Sequence, residues 1–270
     1  MGSLEIVDSP LPLTRSSRLA PLTASKVPVI TAMFWIVKVL TTGMGETTSD
    51  FLVRSIDPVV AVAVGGLVFA GALVIQFAVG RYIPWVYWFA VAMVSVFGTM
   101  VADVTHIVLG VPYLVSTAAF AVALAAVFVV WFRAEGTLSI HSITTRRRES
   151  FYWAAVLVTF ALGTAAGDLT ATTLHLGYLA SGVLFVVVIL LPAIGYRIGA
   201  LGPVVAFWFA YVTTRPLGAS FADWMGVSTL RGGVNWGTGP VSLALAVLIV
   251  GCFLCLTIAD RRRARSLADS

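Results

Sequence analysis

Charge is what this sequence has least of. Only 11% of its 270 residues are Asp, Glu, Lys or Arg, against 59% hydrophobic, where a soluble domain carries about 25% charged residues. That deficit excludes a soluble domain and points to a polytopic membrane protein, so length here counts helices rather than globular units. Cysteine is nearly absent. Cys252 and Cys255 sit three apart in the last apolar run, with no second Cys or His cluster to complete a site, and read as small core residues rather than a metal or redox pair. Also missing are a Ser/His/Asp set, a cofactor fingerprint and a phosphate loop. The Gly-x-Gly-Asp signature of intramembrane aspartyl proteolysis is absent too, because Asp168 follows Ala165, Ala166 and Gly167. No enzyme and no organic cofactor are expected. The net charge of +5 does not imply nucleic acid, because the basic residues lie in short loops and tails where membrane orientation accounts for them.

What is present is apolar length. Eight runs, each near the length that spans a bilayer, lie roughly at 28–50, 58–80, 84–108, 112–132, 150–174, 178–197, 202–224 and 240–259. Residues 1–26 are polar, without the apolar core of a signal peptide, and predict a disordered tail. Of the 17 Lys and Arg residues, 13 fall in the two tails and the connections after runs 2, 4 and 6, two (Arg54 and Arg231) on the opposite side, and two (Lys38 and Arg215) within spans. This asymmetry predicts that both termini are cytoplasmic. The longest outer connection, Gly226 to Pro240, carries five glycines and reads either as a flexible loop or as a lid over an outer vestibule.

The odd-numbered runs share a pattern. Trp35 is followed ten residues on by Gly45 and fifteen on by Asp50. Trp88, Gly98 and Asp103 keep both spacings, as do Trp153, Gly163 and Asp168, and Trp208, Gly218 and Asp223. Each Trp follows another aromatic: Phe34, Tyr87, Tyr152 or Phe207. The even runs are plain, and Gln76 is the one sizeable polar side chain in run 2. The chain is a fourfold repeat of one patterned and one plain helix. The expected fold is all-α, with eight transmembrane helices in four parallel two-helix repeats about a pseudo-fourfold axis. The expected division is a tail at 1–26, repeats at 27–81, 82–148 (with a basic cytoplasmic loop), 149–200 and 201–260, and a basic tail at 261–270.

Positions 7, 11 and 15 after each Trp fall within about 60° of it on a helix. They read Thr42, Glu46, Asp50; Ser95, Thr99, Asp103; Phe160, Thr164, Asp168; and Arg215, Ala219, Asp223. In lipid such a stripe must face protein or water, so the odd helices are expected to line an interior. The glycines lie about 80° to one side and read as close-packing positions. The Trps read as interfacial anchors near the cytoplasmic end. Glu46 and Asp50 form a like-charge pair one turn apart that needs a proton, a cation or a base nearby, and structural ion pairs with Lys38 or Arg215 would consume some of the acids. His106 and His175 lie just beyond Asp103 and Asp168, as polar helix ends or as proton relays or metal contacts.

The segments FWIVKVLTTGMGETTSD, YWFAVAMVSVFGTMVAD, FYWAAVLVTFALGTAAGD and FWFAYVTTRPLGASFAD resemble a bacterial family of uncharacterised membrane-anchored proteins. That family is built from four tandem two-helix repeats of unknown function, each with a characteristic tryptophan, matched here by Trp35, Trp88, Trp153 and Trp208. The resemblance implies an inner-membrane location and brings no substrate.

The residues therefore carry the functional expectation. Carboxylates and hydroxyls are hard oxygen ligands, suited to protons, Na⁺ or divalent cations such as Mn²⁺, Mg²⁺ or Ca²⁺. The expected function is transport of, or coupled to, such a cation. The candidate site comprises Glu46, Asp50, Asp103, Asp168, Asp223, Thr42, Ser95, Thr99, Thr164 and His106, with any metal held within the aspartate set. Lys38 and Arg215 are candidates for ion pairing or for holding an anionic solute. The alternative is a sensor, scaffold or assembly subunit whose polar stripes only glue helices together. Expected partners are the lipid bilayer, a small cation or proton, and a further copy of the chain in a homo-oligomer.

Overall fold

A computed structural model describes residues 25–268, with side chains through Cys255. The expected disorder of the N-terminal tail and the basic C-terminal tail's side chains lie outside the described residues. Eight helices and no strand are found among the described residues: α1 (Ala32–Ser55), α2 (Pro58–Ala78), α3 (Pro84–Asp103), α4 (Tyr113–Glu135), α5 (Arg146–Asp168), α6 (Tyr178–Arg197), α7 (Pro203–Gly226) and α8 (Thr238–Ala268). The helix starts follow local chemistry. Thr31 caps α1 by accepting from the Phe34 N–H, and Asp57 caps α2 through the N–H groups of Val59 and Val60. Pro58, Pro84 and Pro203 open their helices, where the missing N–H costs nothing. Six of the helices are long and apolar enough to cross a membrane; α1 and α7 are long enough but carry more polar residues on their inner face.

The odd helices form a closed ring. Helix α1 packs on α3, α3 on α5, α5 on α7, and α7 back on α1. The even helices lie outside it, with most of their apolar side chains exposed. Each outer helix covers the inner helix of the next repeat: α2 packs on α3, α4 on α5, α6 on α7, and α8 closes on α1. The packing unit therefore straddles the sequence repeat. Chain connectivity and packing together lace the four repeats into a circle.

The ring is built from cyclic contacts between equivalent positions. The aromatic before each Trp meets the Trp of the next inner helix: Phe34 with Trp88, Tyr87 with Trp153, Tyr152 with Trp208, and Phe207 with Trp35, at 5.6, 5.8, 6.1 and 5.7 Å between ring centroids. These eight rings close one end of the ring, the Trp end. Trp88, Trp153 and Trp208 are buried there, so these three are packing residues of the plug rather than interfacial anchors. Trp208 Nε1 donates to the Leu138 carbonyl at 2.9 Å.

The repeat glycines perform the same cyclic operation. A Cβ on Gly45 would fall inside Ser95, on Gly98 against Phe160, on Gly163 inside the stem of Arg215, and on Gly218 inside Thr42. In every case the intruder is the residue seven after the Trp of the next inner helix. The missing side chain admits that residue, which is the close-packing role expected from the sequence.

The connections are ordered. At the Trp end, Lys26, counted with the tail in the sequence, is buried and pairs with Glu149 of α5 at 2.6 Å, and Gln76 of α2 donates to the same carboxylate at 2.9 Å. At the opposite end the α7–α8 connection folds back on α7. The N–H groups of Val234, Asn235, Trp236 and Gly237 donate to the carbonyls of Trp224, Val227, Met225 and Gly226, satisfying acceptors that a helix terminus leaves orphaned. The glycines at 232 and 237 take the left-handed backbone this path needs. Arg231 from this connection donates to the Tyr178 hydroxyl at 2.7 Å. Cys252 is half-buried and Cys255 exposed, both free on α8, so Cys255 is not the core residue expected of it.

Candidate functional site

The axis of the ring is a stack of four-residue layers, one residue from each inner helix. Below the aromatic plug lie Lys38, Val91, Val156 and Tyr211, then Thr42, Ser95, Phe160 and Arg215, then Glu46, Thr99, Thr164 and Ala219; all of these are buried. The stripe therefore faces inward as the helical spacing predicts, and the first of these layers is one that the spacing analysis did not single out.

Arg215 ties the ring together. From α7 its guanidinium donates to the Thr42 carbonyl at 2.6 Å and to Glu46 Oε2 at 2.6 Å, both on α1. It donates to the Thr99 hydroxyl of α3, to the Thr164 hydroxyl of α5 at 2.7 Å, and to the Phe160 carbonyl at 3.4 Å. The same two threonines donate to Glu46 at 3.3 Å each. One cation, one carboxylate and two hydroxyls from four helices thus form a saturated network with almost no solvent access. Thr42 and Ser95 have committed their protons to backbone, Thr42 to the Val39 carbonyl and Ser95 to that of Thr41, which leaves their oxygens as acceptors.

The like-charge pair Glu46 and Asp50 is resolved by two bases. Glu46 takes Arg215, and Asp50 takes Arg54 one turn on, at 2.7 Å. The second pair is half exposed and contributes at most about 1 kcal/mol. The first is sealed, where removal of either partner leaves an uncompensated charge.

Asp50, Asp103 and Asp168 are half-buried at the level one turn further on, and Asp223 is buried. This level is the mouth of the axis, at the end away from the plug, where Asp50, Asp103 and Asp168 keep some solvent access. One Asp103 carboxylate oxygen is buried without a hydrogen-bond partner. The four aspartates sit at one level around the mouth, close enough to influence one another and Arg231 of the α7–α8 connection. Among the described residues no group of three or more His, Cys, Asp or Glu side chains is placed to hold a metal ion, so the four aspartates form no ready-made metal cluster of that kind. His106 does not join them. Its Nδ1 is engaged with the Val111 carbonyl at 2.8 Å, and its ring stacks on Tyr113 at 3.5 Å. It lies on a π-helical turn, Val104–Val108, directly after Asp103, and a second such turn, Leu169–Thr173, follows Asp168. Such turns often mark functional positions.

Lys38 is wholly buried, and its amine has no hydrogen-bond partner among the described residues. It stands 4.1 Å from the ring centroid of Phe160 and 4.2 Å from that of Tyr211. Arg215 lies over Phe160 as well, at 5.2 Å. Lys38 pairs with no acid among the described residues: the nearest on its own helix, Glu46, lies two turns away and is held by Arg215. Two cavities, of ≈ 640 and ≈ 630 Å³, flank the Trp end. Their walls include Trp35, Pro192 and Phe207 in one and Phe34, Tyr82 and Trp88 in the other, with no polar axial residue, so neither lies on the axis.

The hydrogen-bonded hydroxyls of Tyr87 and Tyr152 and the Glu149 cluster were missed by sequence reasoning. The signal for the first was the tyrosine preceding two of the four Trps. For the second it was the lone Gln76 in an otherwise plain helix, which in lipid demands a polar partner.

The family model described as Repeat of Unknown Function (DUF347) matches the chain four times, over residues 33–82, 86–137, 151–198 and 206–262. Each match covers one inner helix and the outer helix that follows it. No curated protein and no solved structure matches the chain.

Proposed function

Because the chain belongs to this family of repeats of unknown function, its activity must be read from its own residues, and we propose that it is a membrane transport protein. Its path is the axis of the inner ring, and its cycle moves or is coupled to a cation: a proton, Na⁺ or a divalent ion. The observation that carries this reading is the sealed Arg215–Glu46 pair with its two threonines. A buried ion pair is seldom more stabilising than apolar packing of the same volume. Ionisable residues inside a membrane are rare and mark pathways or relays. Here the pair lies between an acid-lined mouth and an aromatic plug, where a gate belongs. Thr42, Ser95, Thr99 and Thr164 supply hydroxyls along the path, and Asp50, Asp103, Asp168 and Asp223 draw cations to its mouth.

In this reading all eight helices span the membrane. Helices α1 and α7 hide their polar residues in the ring, which is why they are less apolar overall. The four repeats run the same way, and the basic connections place both termini in the cytoplasm of a bacterial cell, with the mouth facing outward. No enzymatic step and no organic cofactor are invoked.

Flux into proteoliposomes of protons, Na⁺ and divalent cations, measured for the wild type and for Glu46→Gln, tests the proposal. Cation flux that the variant alters supports it. A folded protein that moves no cation, and that captures a stable partner on pull-down, is instead a scaffold or sensor.

A further inference from the structure

Lys38 is a basic group that the ion-pair network leaves aside. It occupies the layer next to the plug, and no carboxylate faces it. Helix α3 offers Val91 and the Ser95 hydroxyl, already donated to the Thr41 carbonyl, and α5 offers Val156 and the Phe160 ring. Helix α7 offers the Tyr211 ring and Arg215, a like charge across Phe160. On α1 itself the nearest acid, Glu46, is two turns away and saturated by Arg215, Thr99 and Thr164. An ammonium carries three donors. Buried with no acceptor and no counter-ion, it is among the costliest groups a protein can hold, whereas the neutral amine tolerates two aromatic walls.

Tyrosines line the way to this amine from the Trp end. Tyr82, in the connection before α3, rests ring to ring on Tyr87 at 5.7 Å, and Tyr87 is hydrogen-bonded to Tyr152. The Tyr211 ring lies under the Lys38 amine, and its buried hydroxyl has no hydrogen-bond partner among the described residues, so the relay is not continuous in the sealed arrangement. On the other side two layers, tied together by the Arg215–Glu46 pair, separate Lys38 from the acid mouth.

We propose that Lys38 is the proton-binding site of the transport cycle. This rests on the transport reading and names the coupled ion. The sealed arrangement holds the neutral amine. When these two layers part, a hydronium from the mouth gives its proton to the Nζ lone pair and leaves as water. When the plug side opens, the ammonium returns that proton through the tyrosine hydroxyls, each of which accepts one proton and passes on its own.

The test uses the full-length protein. The tryptophans of the plug lie one layer from Lys38, so their emission is followed from about pH 5 to about pH 9.5, below tyrosine ionisation. The wild type is expected to show a one-proton transition that Lys38→Met and Lys38→Arg both lose and Asp103→Asn keeps. At neutral pH the Met variant is expected to melt at or above the wild-type temperature and the Arg variant below it, because Arg fixes a charge beside Arg215. Lys38→Gln replaces the Met variant if that does not fold. A transition that persists without Lys38 overturns the proposal, as does an Arg variant as stable as wild type beside a less stable Met variant. Proteoliposomes separate the two readings. Proton-coupled flux unchanged in Lys38→Met refutes the proton site and leaves transport standing. A Lys38-dependent transition without any flux refutes transport and leaves the proton site.

Discussion

Removing one half of the central ion pair is expected to cost far more than removing both. In Arg215→Met the Glu46 carboxylate keeps two threonine donors at 3.3 Å but loses the guanidinium at 2.6 Å. In Glu46→Gln the guanidinium keeps the carbonyls of Thr42 and Phe160 and the two hydroxyls, but loses its counter-charge. Each leaves a buried, uncompensated charge, worth about 3–5 kcal/mol. The Gln variant is expected at the lower end, because its amide still accepts one hydrogen bond. At about 2–4 °C per kcal/mol for a chain of this size, the midpoint falls by about 10 °C. The double variant Glu46→Leu with Arg215→Met removes both charges and keeps most of the volume, so it should melt near wild type or above it. The interaction energy of the cycle is then several kcal/mol, well beyond the ~0.5 kcal/mol scatter of independent sites. Thermal unfolding in detergent, followed by Trp emission, reads all four proteins. If the two single losses simply add in the double variant, or if neither single variant shifts the midpoint, the pair is not a sealed, mutually dependent unit. The double variant is also expected to fold without transporting, which separates a gate from a structural clasp.

Substituting Ala for Gly45, Gly98, Gly163 or Gly218 should cost about 1–3 kcal/mol each, as overpacking does, with Gly163 the worst because its new methyl displaces the Arg215 stem; Gly71→Ala, with open space around it, should show no loss in the same melts. A periplasmic reporter fused within 230–239 should be active and one within 144–148 silent; the reverse would overturn the orientation. Asp103→Asn and Asp223→Asn should each weaken the stabilisation that added cations give the wild type in detergent melts, and unchanged cation responses in both would reduce the aspartates to packing residues.

The ring was legible because its determinants are periodic. A Trp, a Gly and an Asp at fixed spacing specify one helix face, and that polar stripe turns into the ring, where Glu46 and Arg215 are buried. The role of Trp88, Trp153 and Trp208 was misread, because they pack inside the plug. A Trp at a span's end reads alike whether it meets headgroups or a neighbouring helix, and the choice depends on the Phe34, Tyr87, Tyr152 and Phe207 rings of other repeats. The partners of the charges were not legible either. Glu46 and Arg215 are 169 residues apart, and only ring closure brings α7 onto α1. The same closure withholds an acid from Lys38. How far apart the four aspartates stand was not legible: lateral distance at one level depends on how the helices splay there, which spacing along one helix does not encode.

The cyclic contacts suggest which residues are architecture and which are chemistry. The aromatic pair and the glycine recur in all four repeats because each has a partner in the next helix, and a break at any one of them would open the circle. Architecture of this kind must be fourfold. The three buried axial layers are not. They read Lys, Val, Val, Tyr; then Thr, Ser, Phe, Arg; then Glu, Thr, Thr, Ala. Ring closure needs no particular residue there beyond one that fits the facing glycine, and four copies of any charged residue on the axis would repel. Lys38, Glu46 and Arg215 each appear once, as chemistry at the centre of a symmetric frame must. Transplanting the layer residues of repeat 2 into repeats 1 and 4 (Lys38→Val, Glu46→Thr, Arg215→Ser) should therefore leave the ring folded, with its Trp emission intact, while abolishing any flux. Loss of the ring itself would show that the asymmetric residues hold the circle closed, and that the distinction drawn from the repeats is false.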